Sequence, residues 1–315
     1  MTRSFVFPGQ GSQAVGMGKE VFDSFAESKQ AFEEVDEALK QNLSKLIFEG
    51  PIEELTLTQN TQPALMVTSI AILRALEKQA GKDISELCDY VAGHSLGEYT
   101  ALCAAGSISL SDTAKLLKIR GEAMQAAVPE GQGGMAAIIG VDIATAEKIA
   151  SEAAGEDSCQ VANDNSDGQV VISGSKVAIE RGEEIAKAVG AKRYVPLNVS
   201  APFHSTLIIS AADAMKQALS ETEVNEPKVP LVANVTASVV TNPDEIKNLL
   251  VEQVTGRVRW RESVEYLGSK GVDTTVEVGS GKVLSGLTKR IVKDMNAVSI
   301  QTPEDIDKFL AEIGG

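Results

Sequence analysis

Short apolar runs alternate with longer amphipathic stretches through most of this chain, and that order leaves few folds open. Ser4–Phe7, Tyr90–Ala92, Pro230–Asn234 and Thr274–Val278 have the length and apolar content of buried strands. Between the first two, Phe22 to Leu46 and Pro63 to Gln79 read as helices. Glu98 to Ala105 and Ser111 to Ala127 follow as two more. Along the last of these, Leu110, Ala114, Leu117, Met124 and Val128 form one apolar stripe. Strands separated by helices pair in parallel, so the expected fold class is α/β, with helices packed on a mostly parallel sheet.

The middle of the chain changes rhythm. Met135–Ile139 reads as a strand and Ala144–Ala154 as a helix. Gln160–Asn163 and Gln169–Ser173 read as strands around an Asn/Asp/Gly turn, Val177–Val189 as a helix and Arg193–Leu197 as a strand. The order βαββαβ is the ferredoxin-like pattern. The expected organisation is therefore a large α/β domain made of residues 1–128 and 199–315, with a small ferredoxin-like α+β domain, 129–198, inserted in it.

Composition narrows the function. With 315 residues, 43% of them apolar, the chain can fill a sizeable and mostly aliphatic core. A net charge of −15 argues against a nucleic-acid partner, because phosphates are repelled over most of such a surface. The basic pairs Lys192-Arg193 and Lys289-Arg290 are either solvated pairs or landing points for an acidic partner. Three cysteines without a C-x-x-C make no secreted disulfide frame. The N-terminus shows no signal peptide and no run of about 20 apolar residues marks a membrane span, so a cytoplasmic protein is expected. The two histidines, His94 and His204, exclude a histidine-rich metal site and shorten the search for a base.

Two glycine turns carry chemistry. In FVFPGQGSQAVGMG, Gly9, Gly11 and Ala14 fit the dinucleotide pattern G-x-G-x-x-A. A true fingerprint needs a second strand ending in an acidic residue about 20 positions on; here that region is helical, so a nucleotide site is not expected. Gly93-His94-Ser95-Leu96-Gly97 is G-x-S-x-G, placed between a predicted strand and a predicted helix. That context is a nucleophile elbow, in which Ser95 is exposed on a strained turn and the Leu96 amide sits at a helix N-terminus, ready for an oxyanion. The side chain of His94 should diverge from that of its neighbour Ser95, which leaves His204, in Ala201-Pro202-Phe203-His204-Ser205, as the base. No aspartate is marked as the third member; a main-chain or amide carbonyl serves equally well to orient the imidazole. Arg120 lies beside the apolar stripe of Leu117 and Met124. It is either in an internal salt bridge, or a snorkelling stem, or the anchor for a carboxylate on an acyl group.

Together these residues resemble the malonyl-CoA:acyl carrier protein transacylase family, the free-standing acyltransferases of type II fatty acid synthesis. FPGQGSQ, TQPAL, GHSLGEY, the arginine helix, NSDGQVVISG, APFHS and VRW stand in family order over nearly the whole chain. The resemblance implies an α/β-hydrolase-like core and a ping-pong transfer from malonyl-CoA to acyl carrier protein, with no cofactor and no metal. It implies Ser95 as nucleophile, His204 as base and Gln253 as the carbonyl that orients His204. It also implies an oxyanion hole from the Gln10 and Leu96 amides. Arg120 would pair with the malonyl carboxylate, and Gln62, Phe203 and Met124 would line the acyl pocket. Lys192 and Arg193 are the candidates for docking the acidic carrier protein. Arg257 stands where the family often has proline before VRW, and Ile208 where it often has methionine. The elbow alone does not separate transfer from hydrolysis. No apolar interface stripe is evident, so a monomer is expected.

Overall fold

The computed structural model describes residues 1–199 and 201–314. The first strand, β1 (Arg3–Phe7), is buried from Ser4 to Phe7. The acidic stretch read as one helix is three: α1 (Lys19–Ser24), α2 (Ala26–Leu39) and α3 (Leu43–Glu49). Two local conformations break it. Phe25 is extended, and Lys40 closes α2 in the left-handed region, after which the Asn42 side chain caps α3 by accepting from Lys45 N. Helix α4 (Ile52–Thr56) leads into α5 (Thr58–Ala80), which starts before Pro63 and runs through it. Tertiary burial overrides the proline here, for α5 is buried along most of its length.

After α6 (Ile84–Leu87) come β2 (Tyr90–Gly93), α7 (Leu96–Ala104) and α8 (Leu110–Ala126). The middle segment forms β3 (Gly133–Ile139), α9 (Ile143–Ala154), β4 (Cys159–Ser166), β5 (Gln169–Ser175), α10 (Lys176–Ala188) and β6 (Arg193–Pro196). These strands make a separate antiparallel sheet in the order β4-β5-β3-β6, the ferredoxin-like arrangement read from the sequence. Beyond it lie α11 (Ile209–Ser220), β7 (Leu231–Val232), β8 (Val239–Val240), α12 (Pro243–Thr255), α13 (Trp260–Ser269), β9 (Thr274–Val278), α14 (Val283–Ile291), β10 (Asn296–Ile300) and α15 (Pro303–Ile313).

The large sheet has the order β10-β9-β1-β2-β7-β8 and is parallel except for the last pair. Both strands that the sequence reading left out, β8 and β10, are edge strands. One is two residues long and the other only partly buried, so neither carries the continuous apolar run of a central strand. The central pair, β1 and β2, ends at Phe7 and Gly93, and both glycine turns leave the sheet there side by side.

One segment stitches the two sheets together. Val258 exchanges main-chain bonds with β4, donating to Ala162 O at 2.8 Å and accepting from Asp164 N at 2.9 Å. Arg261 then grips the buried Asp164 carboxylate with Nη2 at 2.9 Å and Nε at 3.1 Å. Arg257, which replaces the expected proline, forms an ion pair with Glu147 of α9 across the same seam. Among the described residues no helix is long and apolar enough to cross a membrane.

Candidate active site

Ser95 is the turn between β2 and α7, with φ 55° and ψ −110°. A residue other than glycine held there costs on the order of 1–3 kcal/mol. Its glycine neighbours are required by close approach. A Cβ on Gly93 would lie 1.9 Å from the Gly97 carbonyl oxygen, and one on Gly97 2.3 Å from that of Phe7. Asn234, after β7, braces the turn from both sides. Its Oδ1 accepts from Ser95 N at 2.8 Å, and its Nδ2 donates to the Gly93 carbonyl at 2.7 Å.

The first glycine turn packs directly on this elbow. A Cβ on Gly9 would stand 2.8 Å from the His94 carbonyl oxygen, so Gly9 lets the loop close on the serine; Gly11 takes φ 104°. Gln10 and Leu96 both line the cavity beside Ser95, and among the described residues neither backbone N–H has a partner. Two free amides flanking a serine hydroxyl are what an oxyanion hole requires.

His204 comes from the loop before α11, itself at φ 56°. Ser95 Oγ donates to its Nε2 at 2.8 Å. Its Nδ1–H donates to the main-chain carbonyls of Gln253, at 2.8 Å, and Gly256, at 3.1 Å. These acceptors assign the Nδ1–H tautomer and free the Nε2 lone pair for the serine proton. Burial, followed by the Arg120 charge, pushes the His204 pKa down to about 3, so the imidazole is neutral. His94 does diverge: its Nε2 meets Asn165 Oδ1 at 2.8 Å, and its ring packs 5.8 Å from that of Trp260.

Arg120 is 1% exposed. Its Nη1 donates to Gln62 Oε1 at 2.8 Å, and its Nη2 to Gln253 Oε1 at 2.8 Å and Ser95 Oγ at 3.1 Å. The guanidinium also lies 5.5 Å over the Tyr99 ring. The internal salt bridge is therefore not found. Among the described residues the partners of Arg120 are two amides and a hydroxyl, and a carboxylate entering the cavity would be the first to reach it. The cavity has a volume of about 310 Å³ and brings together Gln10, Gln62, Ser95, Leu96, Arg120, Met124, Phe203 and His204. Met135, Leu197 and Val199 close it from the side of the antiparallel sheet.

An acyl transferase domain matches residues 4–302. The chain belongs to the acyl transferase family. Within that family it is 46% identical over 305 residues to a malonyl CoA-acyl carrier protein transacylase of Bacillus subtilis, covering 96% of this chain and 95% of the relative. The transacylase of Escherichia coli K12 is 47% identical over 300 residues, covering 95% and 96%. A solved acyl-carrier-protein S-malonyltransferase from Bartonella henselae superposes with TM-score 0.97, at 53% identity and complete coverage of both chains. A malonyl-transacylase solved in complex with its type II PKS acyl-carrier protein superposes with TM-score 0.95, at 41% identity, covering 99% of this chain and 100% of that one.

Not every candidate of this acyl transferase lies at the cavity. The Gln253 side chain faces Arg120, and only its main chain reaches His204. Lys192 and Arg193 are exposed at the start of β6, roughly 13 Å along the strand from Leu197. Arg290 joins them at that end of the small sheet. It donates to Gln169 Oε1 at 3.0 Å, and Gln169 and Arg193 both pair with Ile139. The sequence reading missed Asn234, Glu98, Tyr99 and the Gly256 carbonyl. Glu98 stands inside GHSLGEY, and its place in the first turn of a buried helix was the one available signal.

Proposed function

We propose that this protein transfers the malonyl group of malonyl-CoA to the phosphopantetheine thiol of acyl carrier protein, through a malonyl ester on Ser95. The observation that carries this reading is the placement of one serine oxygen between a neutral imidazole, 2.8 Å away, and a buried guanidinium, 3.1 Å away. His204 Nε2 takes the Ser95 proton as Oγ attacks the thioester carbonyl. The tetrahedral oxyanion rests on the Gln10 and Leu96 amides. As the carbon–sulfur bond breaks, the imidazolium returns its proton to the CoA sulfur. The carrier thiol then repeats the sequence in reverse, with His204 taking its proton and returning it to Ser95.

Arg120 anchors the free malonyl carboxylate, supported by Gln62, while Met124 and Phe203 shape the acyl space. An acetyl group would leave that guanidinium without an anion, so the pocket selects dicarboxylic acyl groups. Lys192 and Arg193 dock the carrier protein, with Arg290 beside them. We read the chain as one catalytic domain, 1–128 and 199–315, carrying the insertion 129–198, and working as a cytoplasmic monomer.

Intact mass after brief mixing with malonyl-CoA tests the reaction. The expected result is a malonyl adduct on the wild type, none on Ser95→Ala, and discharge by added carrier protein. An adduct discharged by water at the same rate with or without carrier protein would make the protein a hydrolase instead.

A further inference from the structure

Glu98 is a carboxylate that the reaction above does not use. It is 1% exposed on α7, directly behind the elbow. Its Oε2 accepts from the Gln253 side-chain Nε2 at 2.8 Å and from Asn234 N at 3.2 Å. Gln253 Nε2 also donates to the Ser95 carbonyl at 2.9 Å. With two acceptors holding its NH₂ end, the amide has one orientation left, and Oε1 must face Arg120 Nη2. The amide dipole therefore runs from the carboxylate to the guanidinium, linking two buried charges that do not touch. The same oxygen of Glu98 holds the main chain of Asn234, whose side chain braces the serine turn.

We propose that Glu98 is a positioning residue that holds and balances Arg120 through Gln253 while the pocket is empty, and so sets how strongly the pocket takes an acyl carboxylate. This rests on Arg120 being the carboxylate anchor. A malonyl carboxylate arriving at Arg120 claims the cation that Glu98 already balances. Ionised Glu98 opposes that arrival; protonated Glu98 does not. The charged and titratable groups near Glu98 are Arg120 from α8 and Tyr99 from its own helix, while α12 and the turn after β7 face it with the Gln253 and Asn234 N–H groups. Among the described residues, β1, β2 and α5 bring no charge to bear on it. Burial pushes the Glu98 pKa up to about 7, against the bonds from Gln253 and Asn234 and the Arg120 charge, so its proton is exchanged near neutrality.

The test is the ratio of malonyl to acetyl loading, each as kcat/KM for CoA release, from pH 6 to pH 9. Titration of His204 and Ser95 acts on both acyl groups and cancels in the ratio. In the wild type the ratio should fall about tenfold as pH rises through 7, the size of one unit of coupling between two sites. In Glu98→Gln, where an amide oxygen still accepts from Gln253 and Asn234, the ratio should be flat and stay at its acid-side value. A wild-type ratio that does not change with pH, which needs no variant, overturns the proposal. So does an equal slope in Glu98→Gln. Arg120→Gln separates the two readings. Loss of its malonyl preference with equal slopes in the other two proteins sinks the role of Glu98 alone, whereas a retained preference sinks the carboxylate anchor and the role of Glu98 with it.

Discussion

On the side of the pocket nearer the parallel sheet, Ser95, His204, Arg120 and Gln62 are each held by another of the four, and Gln253 behind them holds Arg120 and His204. On the facing wall, Met135 of β3 and Leu197 and Val199 beyond β6 are apolar, with Asn198 between the last two. There Asn163 of β4 lines the cavity with a buried Nδ2 that has no partner among the described residues. The difference follows from what each wall must do. Reacting atoms need fixed positions, and a misplacement of about 1 Å costs on the order of 100-fold in rate. A wall that shapes space needs mainly volume, which Met135, Leu197 and Val199 supply with apolar side chains, and the unpartnered Asn163 Nδ2 is a polar point on it. Among the described residues, the non-glycine residues of the site with positive φ, Ser95 and His204, are both on the first wall.

The sharpest way to break the comparison is to remove the proposed base. His204→Ala should lower malonyl loading on the order of 1000-fold, read by rapid quench. The wild-type pH profile checks the same residue. Because burial and Arg120 depress its pKa, the neutral imidazole persists as pH falls, and loading should remain at pH 5. A loss centred near the ordinary histidine value of about 6.5 would show that the wall is wetter than its burial implies.

The brace behind the Ser95 turn should matter less than the proposed base. Asn234→Ala leaves Ser95 N and the Gly93 carbonyl unpaired, so about 1–3 kcal/mol of stability should be lost. The strained turn should relax with it, and kcat should drop roughly 10- to 100-fold. Denaturant unfolding and steady-state loading measure the two effects. A stable variant with full kcat would mean that the glycines alone hold the elbow.

The smallest effect belongs to the antiparallel layer. Lys192→Glu with Arg193→Glu should raise the KM for carrier protein about tenfold at low salt and leave loading from malonyl-CoA within about twofold. The two half-reactions, assayed separately, decide it. Equal losses in both would mean that the small layer positions reacting groups after all.

The elbow was legible because its requirements are local. Two glycines flank a serine between an apolar run and a helix, and each glycine answers a contact under 2.5 Å. The βαββαβ order was legible because it follows from strand and helix periods alone. The breaks at Phe25 and Lys40 were not, since each depends on one backbone conformation inside a stretch of good helix formers. Helix α5 began earlier than Pro63 suggested because burial outweighs the lost hydrogen bond. At the site, Ser95, His204 and Arg120 were singled out by the sequence and meet at one cavity, whereas whether Arg120 met a carboxylate inside the protein was not readable.

By itself, then, the amino-acid sequence determined the strained serine turn, the glycine loop after β1, the two-layer order of elements and an acidic surface. These depend on residues close together along the chain, or on composition. Only the tertiary structure decided that Gln253 turns its main chain to His204 and its side chain to Arg120. The same holds for Asn234, which braces a turn 139 residues away, and for Glu98, which stands behind both. Hydrogen bonds in a buried network are set by distance and angle between side chains from separate elements, and no spacing along the chain encodes those.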